Sequence, residues 1–166
     1  MMTTATALNF ETRNDIPESA RESMVGLLNQ QLADTFDLYT QLKQAHWNVK
    51  GMNFMPLHQL FDDLANNFVG YADMIAERAT ALGGRAEGTA RMAVSNSRLE
   101  ELPLELTDGK EYVIAIVDRF AQYAESLRSA IDTSADANDA VTSDLFTEIA
   151  REVDKSLYFL ESHVQG

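Results

Sequence analysis

The sequence predicts an all-α fold: four long helices in a bundle, with a short helix in the crossover between the second and third of them. Three observations lead there. Apolar residues recur at steps of three and four along most of the chain, only three prolines interrupt it, and the alternation expected of strands is hard to find. At 166 residues the chain is long enough for one domain with a substantial core, so 1–166 is read as a single domain.

The elements follow in order. Residues 1–15, rich in Thr, Ala and Asn, lack helical periodicity and are expected to form a mobile N-terminal tail. Pro17, followed by Glu18 and Glu22, suits a helix start, with a pre-set φ and acids at the positive end of the helix dipole. The stripe Val25, Leu28, Leu32, Phe36, Tyr39, Leu42 carries the first helix to His46, which therefore points inward. A break is expected at Lys50 and Gly51. The second helix then runs from about Met55 to Leu82 and stops at Gly83 and Gly84, with Leu57, Leu60, Phe61, Leu64, Phe68, Tyr71, Ala72, Ile75 and Ala79 toward the core.

From Arg85 to Asp108 the pattern is broken. A connection this long is expected to hold structure of its own, and Thr89 to Ser97 suits a short helix. Such a crossover lets the second and third long helices run parallel. Asp108 reads as an N-cap with Glu111 three residues on, followed by Val113, Val117, Phe120, Ala124, Leu127 and Ile131. Ser134 to Asp139 reads as a polar turn, and Leu145, Ile149, Val153, Leu157, Leu160 and Val164 mark the last helix.

Composition narrows the function. Thirteen Lys and Arg against 26 Asp and Glu give a net charge of −13, a field that repels nucleic acid and anionic membrane and attracts cations. Cysteine is absent, so any metal must be held by imidazole and carboxylate, and a reducing compartment is compatible. The first ten residues have no basic, apolar leader pattern, and no stretch reaches the roughly 20 apolar residues of a membrane span. A cytoplasmic protein without a membrane segment is expected.

The chemistry concentrates between His46 and Gly84. His58, Asp62, Asp73 and Glu77 are spaced by 4, 11 and 4 residues, which at about 100° per residue places them on one helix face. At about 1.5 Å of rise per residue, His58 and Asp62 lie roughly 22 Å along the axis from Asp73 and Glu77, too far to share one ion. Two copies of the helix, antiparallel about a two-fold axis near Asn67 and Phe68, bring the pairs together in two equivalent sites. The donors suit Fe(II), Mn(II) or Zn(II), and zinc competes with iron because Fe(II) sits low in the affinity order. The paired Glu-x-x-His motifs of a di-iron site inside one bundle are missing: Lys43, Met55 and Leu160 stand three residues before the three histidines.

The segments HWNVKGMNF, LHQLFDDL and ADMIAERATALGG, in this order and spacing, resemble the signature of the Dps family of ferritin-like proteins. The specific match spans about forty residues, and the order of helices is similar over most of the chain. The resemblance implies a ferritin-like bundle, a homo-oligomeric cage of twelve subunits, and ferroxidase activity that takes Fe(II) with hydrogen peroxide to a stored Fe(III) mineral. It implies His46, His58 and Asp62 from one subunit and Asp73 and Glu77 from its two-fold mate as the metal ligands and catalytic residues. Asp62 and Glu77 would hold the tighter iron, His46 and His58 would act as ligands or hold the weaker iron through water, and Asp73 would ligate or orient a ligand.

The resemblance also implies acids at Asp139 and Asp144 lining the three-fold pores that admit Fe(II), and a Trp47 near the iron that intercepts oxidising equivalents. The plainer reading of Trp47 is an interface or core aromatic. Asp63, beside a ligand, is a candidate nucleation point for mineral. His163 has no partner at ligand spacing and reads as a surface residue. Family members that bind DNA do so through basic tails, whereas the first 15 residues here hold one basic residue, Arg13, so no binding to DNA is expected. The alternatives are a DNA-binding protein with a vestigial metal site, and a zinc- or manganese-binding protein of the same shell.

Overall fold

The computed structural model describes residues 8–166. Its helices are α1 (Glu18–Asn48), α2 (Phe54–Ala81), α3 (Ala90–Asn96), α4 (Gly109–Asp136) and α5 (Ala140–Glu161). Among the described residues there is no strand, only an isolated bridge between Lys50 and Asp108. α1 packs along α2 and α4 along α5, while the short α3 lies against α1.

The parallel course of α2 and α4 can be read from their ends. Lys50 and Asp108, which precede the two helices, pair side by side. At the far end, Arg78 near the end of α2 bonds Asp139 and Thr142 at the start of α5, which directly follows α4. The crossover between them is fastened to buried polar groups. Both oxygens of Asp34 accept from Arg98, through its backbone N–H at 2.7 Å and its Nε and Nη2 at 2.9 and 2.6 Å. Arg119 donates to Gln41 at 2.9 Å and to the Glu101 carbonyl at 2.6 Å, and Gln41 donates to the Glu100 carbonyl at 2.9 Å. Among the described residues no buried side-chain polar atom is left without a partner, as a desolvated donor or acceptor requires.

Helix ends follow local chemistry. Asp108 caps α4 by accepting from Lys110 N, and Thr89 caps α3 by accepting from Met92 N. Gly83 and Gly84 serve two different needs. Gly83 takes φ +88° in a paired C-terminal closure, Gly83 N to Thr80 O and Gly84 N to Ala79 O. At Gly84 a Cβ would stand 2.4 Å from a Val25 methyl, so only glycine lets α1 approach. α4 closes the same way with Asn138 at φ 60°, so the helix runs through Ser134 to Asp136 and the expected turn shrinks to three residues.

The first residues divide. Residues 1–7 of the expected mobile tail lie outside the described residues, while Asn9 and Phe10 donate to the Gly83 carbonyl at 3.0 and 3.1 Å. The core centres on Phe68, which meets Phe120 at 5.4 Å and Tyr123 at 5.2 Å between ring centroids. The Tyr123 hydroxyl shares a hydrogen bond with Thr35, and burial pushes its pKa up. Phe36 and Tyr39, expected in the core stripe, are only half-buried. Leu38 and Ala45 are fully buried instead, because the crossover and α4 cover a second side of α1.

Candidate metal centre

The last turns of α1 and the first turns of α2 lock together through their histidines. His46 Nδ1 lies 2.6 Å from the His58 carbonyl, and His58 Nδ1 lies 2.7 Å from the His46 carbonyl. A carbonyl only accepts, so each Nδ1 carries its proton, and in the neutral ring each Nε2 is left with a free lone pair. A backbone carbonyl bonded to Nδ1 is a common means of orienting an imidazole whose Nε2 binds a metal. The rings stack at 3.8 Å with 16° between planes, and Phe54 stacks on His58 at 4.9 Å.

Asp62, one turn beyond His58, completes this end. Its Oδ1 is 4.0 Å from His46 Nε2 and accepts from Lys43 Nζ at 2.6 Å. The Lys43 hydrogen bond holds the Asp62 carboxyl below the usual range, against a smaller opposing effect of burial. The group is therefore held as an anion, paired with the Lys43 ammonium. Sequence periodicity missed Lys43 and Phe54 as parts of this site. Lys43 carried one signal, its place a turn before His46 on the same helix.

Asp73 and Glu77 are exposed farther along α2. Asp73 is about 17 Å beyond Asp62 by helical rise. Within one chain, no three His, Cys, Asp or Glu among the described residues are grouped to hold a metal ion. The structure thus brings His46, His58 and Asp62 into one neighbourhood and keeps Asp73 and Glu77 apart from it.

The remaining candidates fall into different environments. Trp47 is 61% exposed, with Lys43 Nζ 5.8 Å from its ring centroid. Asp63 is exposed on α2, and Asp144 is exposed beside a shallow depression lined by Ala135, Asn138, Ser143 and Thr147. Asp139 differs from the expectation of a pore acid. Its side chain is fully buried in its own chain, where Oδ1 accepts from Arg78 Nη2 at 2.9 Å and from Thr142 N at 3.0 Å, and Oδ2 accepts from Thr142 Oγ1. Capping α5 and pairing with Arg78 consume the carboxylate. Asp139→Asn is therefore expected to lower stability by about 3 kcal/mol in denaturant unfolding, since Arg78 loses its counter-charge. Asp144→Asn, on the surface, stays within about 0.5 kcal/mol. An unchanged midpoint for Asp139→Asn would contradict this role.

Comparison with known proteins places these features. The ferritin-like domain family matches residues 25–166. The DNA protection during starvation protein of Agrobacterium fabrum is 40% identical over 155 residues, 93% of this chain and 96% of that protein. DpsA14 from Streptomyces coelicolor shares the fold with a TM-score of 0.92 at 27% identity, across 98% of this chain and 96% of that one. Dps from Staphylococcus aureus gives 0.83 at 32% identity, across 87% and 97%. Helix order, crossover helix and overall similarity agree along nearly the whole length, and the chain belongs to the Dps family of ferritin-like proteins.

Proposed function

We propose that this chain is a ferroxidase and iron-storage subunit that oxidises Fe(II) with hydrogen peroxide at sites shared between two chains. The observation that carries the reading is the His46–His58 lock, which leaves both Nε2 lone pairs free and sets that of His46 4.0 Å from Asp62 Oδ1, while the other acids of the same helix face stand apart. The spacing on α2 is mirror-symmetric. A two-fold axis between Asn67 and Phe68 sets His58 opposite Glu77 and Asp62 opposite Asp73 of a second copy, and the reverse, giving two sites per dimer. Exposed apolar side chains next to this end, Trp47, Val94 and Leu104, support a surface that meets protein.

Two Fe(II) ions at one site supply two electrons together. Peroxide takes both and two protons, its O–O bond breaks, and two waters form with two Fe(III), so no hydroxyl radical is released. Carboxylates from both chains offset the added charge of Fe(III). The dimers are proposed to build a cytoplasmic dodecameric cage. Asp144 would draw Fe(II) into a pore, Asp63 would help seed the mineral, and Trp47 would intercept stray oxidising equivalents. Zinc enters as a competing ion.

Anaerobic Fe(II) loading followed by hydrogen peroxide tests the activity. Oxidation of close to two irons per peroxide is expected, and a rate no faster than in buffer would refute it. The charge of −13 sets the expectation for DNA. Duplex DNA should run unretarded beside excess protein at physiological salt, whereas a gel shift there would favour nucleoid binding.

A further inference from the structure

The two ends of α2 are tied to different neighbours. The histidine lock ties the first turns to α1. At the far end Arg78, one residue after Glu77, is tied to the start of α5. Its Nη2 donates to Asp139 Oδ1 and its Nε to Thr142 Oγ1, both at 2.9 Å. Thr142 Oγ1 in turn donates to Asp139 Oδ2, so the three side chains close a ring. Water is nearly excluded from it: side-chain exposure is 12% for Arg78 and 0% for Asp139, and Thr142 is buried. Other ties hold the chain just beyond the helix, where Arg21 Nη1 donates to the Leu82 carbonyl at 3.0 Å and Asn9 and Phe10 donate to that of Gly83. Those bonds keep the chain end in place, whereas Arg78 grips the helical turn that carries Glu77.

We propose that Arg78 is a positioning residue for Asp73 and Glu77, acting through the α2 backbone from the buried ring with Asp139 and Thr142. The inference rests on the shared-site reading above. A site completed by a second copy needs both ends of each α2 in place at once. With the first turns fixed by the histidines, a tilt of α2 by about 5° over roughly 22 Å displaces the far acids by about 2 Å, where metal–ligand distances tolerate about 0.2 Å. Asp73 and Glu77 are exposed, so their placement depends on the turn beneath them. The planar guanidinium fixes that turn because its fork meets two partners in one geometry, which a single ammonium does not.

Anaerobic calorimetric titration of the assembled protein with Zn(II), a redox-silent probe, tests this on the wild type, Arg78→Lys, Glu77→Gln and a double variant, Arg78→Met with Asp139→Asn. The double variant removes both charges, so no buried carboxylate is stranded, and the amide oxygen left at position 139 still caps α5. It should bind Zn(II) about 10-fold more weakly than the wild type. Arg78→Lys, which keeps the charge but loses the fork, should lose less. Hydrogen exchange of residues 74–81 should speed up in both. A purely structural role predicts a lower unfolding midpoint with unchanged Zn(II) affinity. Wild-type affinity in the folded double variant would therefore overturn the role of Arg78, and if that variant does not fold, Arg78→Lys decides in the same way. Glu77→Gln separates the two readings. If it weakens Zn(II) binding, the shared site stands whatever the Arg78 variants do; if it has no effect, the shared-site reading fails and the role of Arg78 falls with it.

Discussion

Replacing His46 and His58 together by alanine is expected to slow the proposed peroxide-driven Fe(II) oxidation at least about 100-fold while leaving the proposed cage assembled. Each histidine has two tasks, offering Nε2 to the metal and tying its Nδ1 to the other's backbone. Losing both rings removes two of the proposed ligands and the stack that holds them at 3.8 Å. His46→Ala alone is expected to be milder, because His58 keeps its bond to the His46 carbonyl and therefore its orientation. The main core, centred on Phe68 and its aromatic neighbours, is untouched, so light scattering should report an unchanged particle. Stopped-flow absorbance of the ferric product measures the rate, and a double variant as fast as the wild type would rule out the histidines as ligands.

Much of this was legible in the sequence because local rules dominate at helix ends and on helix faces. Asp108, Thr89 and the Gly83–Gly84 pair each mark a boundary by their own chemistry, and the structure uses all of them. The end of α4 was less legible. Ser134 looks like a turn residue, but it is buried in the helix and donates to the Ala130 carbonyl, and the turn is left to the three residues around Asn138, the one at positive φ. The periodicity of α1 marks only one row of its buried residues. Its second buried side depends on Asp34, Gln41 and the distant Arg98 and Arg119, contacts that no short-range period encodes.

The same limit applied to the site. The proposed ligand pattern of α2 lies on one helix and can be counted off directly. The Lys43–Asp62 pair spans 19 residues and two helices, and the burial of Asp139 against Arg78 spans 61, so each emerges only from packing. Asp139 and Asp144 look alike as acids near a helix start. They differ because a cap position turns one carboxylate into the protein and the other faces solvent.

Each proposed oxidation site needs two chains, and complementation between two inactive variants is the sharpest test of that requirement. One variant carries His46→Ala and His58→Ala, the other Asp73→Asn and Glu77→Gln, and each alone lacks half of every site. In a mixed dimer one site receives both damaged halves and the other receives both intact halves. Random mixing in equal amounts makes half the dimers mixed, so the reassembled protein should regain about a quarter of wild-type oxidation. Mixed dimers confirmed by native mass spectrometry that remain as inactive as either parent would contradict the shared site.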